Sequence, residues 1–124
     1  MSTSYGSGAK GKCTKLHAKL IRERGVCEYC GVTEKLQCAH IVSRTYSSTR
    51  TDLDNAFCLC ASCHWKFGSW PVDFGLFVLD KITHKGYQNL AKKARAGIGK
   101  KFNWDEELER LKGIEDECKT KSKS

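Results

Sequence analysis

Long hydrophobic runs are absent from this chain. No apolar stretch would span a bilayer, and no apolar segment of the signal-peptide kind follows Met1. Membrane insertion and export are therefore not expected. Internal repeats are also missing, and nothing marks a second domain in 124 residues. Residues 1–12 (MSTSYGSGAKGK) hold no large aliphatic side chain beyond Met1, and residues 119–124 (KTKSKS) are a short basic run. Both predict disordered tails, which leaves residues 13–118 for one small core. A core of that size is only modestly stable, so an added staple is expected.

Acidic residues are comparatively scarce. Against 22 Lys and Arg stand 14 Asp and Glu, a net charge of +8. This excess suits a polyanionic partner, nucleic acid before an acidic membrane surface, although a merely soluble basic surface would read the same. Eight cysteines are the opposite anomaly. Without a leader, and with C-x-x-C pairs present, they point to metal binding in a reducing cytoplasm rather than to a disulfide framework.

The pattern along the chain predicts an α+β fold. Residues 14–24 form an amphipathic helix, with Leu16, Leu20 and Ile21 inward, ended by Gly25. Residues 36–42 and 56–60 read as short strands flanking a polar loop at 43–55. A short helix follows from Ala61 to about Gly68. The single proline, Pro71, suits the first turn of a helix reaching Lys81, with Val72, Leu76 and Leu79 at helical spacing. Residues 84–96 make another helix, with Tyr87, Leu90, Ala91 and Ala94 on one face. Asn103 caps a third, paired with Glu106 in a capping box and followed by a stripe of Trp104, Leu108, Leu111 and Cys118.

Cys27-Glu-Tyr-Cys30 and Cys60-Ala-Ser-Cys63 are two C-x-x-C pairs. Each can fill two corners of a tetrahedron, and together they make a closed four-cysteine Zn²⁺ site whose role is folding. Gly31 suits a knuckle that needs positive φ. Free buried thiols and a redox pair are the alternatives, the latter without its usual βαβ context. Cys13, Cys38, Cys58 and Cys118 lack such spacing and read as small buried apolar side chains.

The strand–loop–strand–helix order around LQCAHIVSR and DLDNAFCLCASCHWKF resembles the ββα-metal finger of HNH endonucleases over residues 14–68, and the helical segment that follows is similar, in patterning more than chemistry, to the tails of bacteriophage-type members. That family places Asn five residues before the third zinc cysteine and His directly after the fourth, as Asn55 and His64 stand here. The resemblance implies a zinc-clipped ββα core at about 36–68, covered by helices over 71–118, that hydrolyses DNA with a catalytic divalent ion. It makes His40 the general base and gives Asn55 and His64 the task of holding the ion or orienting its neighbours. Mg²⁺ would serve, and a His ligand admits Mn²⁺, Ni²⁺ or Zn²⁺.

One position departs from the family. Many HNH enzymes carry Asp or His just before the base, as a metal ligand, and here Ala39 cannot coordinate. The rival expectation is accordingly a non-catalytic DNA-binding or phage packaging module. Arg44 is a candidate for the scissile phosphate, and Arg50, Lys66 and Arg22 for backbone phosphates, beside Lys15 and Lys19. His17 and His84 lie outside the motif and are expected to carry no chemistry.

Overall fold

The computed structural model describes residues 8–123, with side chains placed through Lys119. The expected tail therefore falls partly outside the described residues, at 1–7 and at 124. Five α-helices and two strands follow in the order α1 (Ala9–Arg22), β1 (Leu36–His40), α2 (Ser47–Arg50), β2 (Ala56–Cys60), α3 (Ala61–Ser69), α4 (Pro71–Ala96) and α5 (Trp104–Lys123). A 3-10 turn at Leu53–Asn55 precedes β2. The fold is α+β, as expected. Three boundaries differ. Helix α1 begins inside the stretch read as a tail, because Lys12 donates its amide to Gly8 and the buried Cys13 anchors it. Helix α5 runs on through Lys123 rather than stopping before the basic run. The loop at 43–55 contains α2 and the 3-10 turn, where Asp52 accepts from the Asp54 amide.

Strands β1 and β2 pair antiparallel, with Leu36 opposite Cys60 and His40 opposite Ala56. Side chains alternate across the strands. Ala39, Phe57 and Leu59 face α3 and α4, where Phe67, Phe77 and Val78 complete the main core. Ala56 and Cys58 face α1 and pack on Ile21. Every residue of β2 is buried, since helices cover both faces of the hairpin.

Helix α4 is two helical stretches joined at Thr83, whose φ of 69° and ψ of 166° are non-helical. That break falls between the two expected helices, and Thr83 Oγ1 accepts the Gly86 amide at the start of the second. The inward face of the first stretch differs from expectation. Phe74, Phe77 and Val78 meet the core, while Val72 and Leu76 are 75% and 64% exposed. Both stripes are apolar, and the larger aromatic one wins the core because burying it removes more area from water. Helix α5 packs on α1 through Leu111, Leu108 and Trp104, and its capping box forms, with Asn103 accepting the Glu106 amide at 3.0 Å. Ile114 continues that stripe, whereas Cys118 is exposed.

Candidate metal centres and active site

The first C-x-x-C turn sits between α1 and β1, the second at the β2–α3 junction. Their four sulfurs lie within 4.8 Å of one another. Cys30 Sγ is 3.7 Å from Cys60 Sγ, close to the sulfur–sulfur edge of about 3.8 Å that a zinc tetrathiolate requires. In each turn the second cysteine's amide points at the first cysteine's sulfur, Cys30 N to Cys27 Sγ at 3.5 Å and Cys63 N to Cys60 Sγ at 3.4 Å. Gly31 has φ of 84°, which lets the knuckle reverse. Burial opposes ionisation of Cys27, yet surrounding donors, amides foremost, bring its thiol down to about 6. Burial and the neighbouring thiols push Cys63 up. Four thiols this close ionise together only around a cation, so the donor set fits Zn²⁺.

His40 ends β1, half-buried on the face toward α1. Its Nε2 lies 2.8 Å from the Arg50 carbonyl, which accepts from it. This bond fixes the tautomer and leaves the lone pair on Nδ1. Burial lowers the His40 pKa, and the charges of Arg44 and Arg50 and the nearby His64 lower it further, against the Arg50 carbonyl. The imidazole is thereby neutral at pH 7, as proton abstraction needs.

Asn55 is fully buried. Its Oδ1 accepts from Val42 N at 2.7 Å, and its Nδ2 donates to the carbonyls of Val42 and Thr49 at 3.0 and 2.9 Å. Asn55 thus ties the end of β1 to α2, whose last residue supplies the carbonyl that holds His40. His64, on α3, donates from Nδ1 to Gln37 Oε1 at 2.7 Å, which leaves its Nε2 lone pair for another partner. Ala39 is 2% exposed and packs in the core.

The cationic candidates separate. Arg44, Arg22 and Lys66 are exposed. Arg50 instead donates to Thr14 Oγ1 and to the Arg44 carbonyl, bracing the loop. Lys19 is paired with Glu115. Sequence reasoning missed three residues. Gln37 orients His64, and Arg24 holds the carbonyls of Leu53 and Ala56. His17 is fully buried beneath His40, its ring centroid 5.1 Å away, and burial lowers its pKa to about 4. The available signal was period: His17 shares the inward face of α1 with Ile21, and Cys38 and His40 share one face of β1.

Residues 27–70 match the family model described as HNH endonuclease. No curated protein and no solved structure matches the chain. The matched span begins at the first knuckle cysteine, includes both strands and α3, and ends just before α4, so the finger at residues 27–70 is similar to the HNH endonuclease family.

Proposed function

We propose that the protein is a metal-dependent endonuclease that hydrolyses DNA phosphodiester bonds. The observation that carries this reading is His40, held by the Arg50 carbonyl with a neutral imidazole and Nδ1 unprotonated, inside a finger of this family. In this reading His40 Nδ1 takes a proton from water as it attacks the phosphorus. Arg44, exposed and close enough to depress the His40 pKa, meets the phosphate. In this reading His64 Nε2 holds a divalent ion, and the Gln37 bond to Nδ1 supports it by fixing the ring and leaving Nε2 unprotonated. When bound, that ion supplies charge neutralisation at the leaving oxygen. Asn55, buried and bonded to backbone, acts by orienting the His40 loop. Arg22 and Lys66 contact backbone phosphates, so cleavage is weakly sequence-specific and falls with salt. The C-x-x-C pairs at Cys27, Cys30, Cys60 and Cys63 suit metal binding in a reducing compartment, and we place the activity in bacterial cytoplasm, on phage or host DNA.

A second reading has its own observation. Ala39 offers no ligand where many family members have one, which favours a DNA-binding or packaging module without catalysis. Supercoiled plasmid incubated with the protein and Mg²⁺, Mn²⁺ or Ni²⁺ separates the two. The nuclease converts it to nicked or linear DNA with at least one of these ions. Intact plasmid with every ion, together with retained DNA binding, would establish the module.

A further inference from the structure

Apart from the knuckle, three more ligand atoms converge. His17 Nδ1, Cys38 Sγ and His40 Nδ1 all lie within 4.8 Å of one another. The sulfur is 3.9 Å from each imidazole nitrogen. A tetrahedral zinc centre needs a nitrogen–sulfur edge of about 3.5 Å, so a small rotamer adjustment closes the site. Both rings are anchored from behind: His17 Nε2 donates to the Asp52 carbonyl at 3.0 Å and His40 Nε2 to the Arg50 carbonyl at 2.8 Å. Such backbone anchoring is how metal-binding histidines are oriented, and here it turns both lone pairs toward Cys38. The ligands stand on α1 and β1 rather than on loops.

We propose that His17, Cys38 and His40 form a second metal site, which takes a zinc-class ion and holds the nuclease off by capturing Nδ1 of His40. Two imidazoles and a thiolate select Zn²⁺ over Mg²⁺, which prefers oxygen. On binding, the Cys38 S–H proton leaves to solvent and a sulfur–metal bond forms, while both imidazoles enter neutral and release nothing. Cys38 and His40 are partly exposed, which gives the ion a path, and water takes the fourth position. The inhibitory part rests on His40 being the base; the binding part does not.

The test is metal stoichiometry on the full chain. Equilibrium dialysis against zinc should leave two ions per wild-type chain and one per chain in Cys38→Ser and Cys38→Ala. In Co²⁺-substituted protein, the second equivalent should add a thiolate-to-cobalt charge-transfer band about one quarter as strong as the knuckle's, reflecting one thiolate against four. A single ion in the wild type, or a second ion retained by both variants, overturns the site. With Mg²⁺ present, excess zinc should slow wild-type plasmid cleavage at least tenfold and leave Cys38→Ser active. If the chain never cleaves DNA, the proposed activity fails and the ion count still decides the site. Cleavage unaffected by a bound second zinc overturns the inhibitory role.

Discussion

Asn55 shows what one side chain contributes at this site. Three backbone groups depend on its amide, and no solvent reaches it to replace the bonds. Asn55→Ala should lower stability by about 2–4 kcal/mol, read as a shift of the urea midpoint. It should also slow cleavage, since the His40 loop loses its tie. A variant as stable as wild type would show that the buried amide is not needed. Gln37 acts more lightly. Gln37→Ala leaves the His64 ring unoriented and should weaken apparent affinity for the catalytic ion about tenfold, with little change in thermal stability. His40, Asn55 and His64 stood out in the sequence only through the family resemblance, as residue types at that motif's spacings. Their hydrogen-bond partners were not, because Arg50 O, Thr49 O and Val42 N belong to backbone placed by a loop without periodic pattern.

Among the elements, the knuckle and α5 do the stapling. The knuckle joins the turn at 27–31 to the β2–α3 junction, so chelation of zinc should release that turn and cut thermal stability. Cys30→Ser, at the exposed corner of the site, should reproduce much of that loss without opening a core cavity. Helix α5 is held by Leu111, which is fully buried, and Leu111→Ala should cost about 2–5 kcal/mol by equilibrium unfolding. Glu107 pins the same helix. Burial raises its pKa, but hydrogen bonds from Arg110 and Thr51 outweigh burial and hold it below the ordinary 4.5. A carboxylate depressed in the folded state stabilises above its unfolded pKa and loses that contribution as pH falls through its folded value. Acid titration from pH 5 downward should therefore destabilise wild type more steeply than Glu107→Gln. Strand and helix types were readable from period and turn residues. The inward face of α4 was not, because two apolar stripes compete and only packing selects the aromatic one.

The whole molecule is a two-strand hairpin covered by helices on both faces, stapled by a thiol cluster and carrying a net charge of +8. No helix among the described residues is long and apolar enough to cross a membrane. The proposed DNA binding, if driven by this charge, should weaken between 50 and 200 mM salt by roughly two to three orders of magnitude for about five phosphate contacts. The knuckle was fully legible because C-x-x-C spacing is local. The His17–Cys38–His40 cluster was not, since it depends on α1 crossing the hairpin. On the scale of the whole molecule, the proposed role of His40 as base decides whether the site cleaves DNA. Its most direct measurement is the plasmid cleavage rate of His40→Ala beside wild type, with Mg²⁺ or Mn²⁺ and with zinc content and circular dichroism checked to be equal. The rate should fall about 10²–10⁴-fold. Cleavage by His40→Ala at the wild-type rate would contradict it.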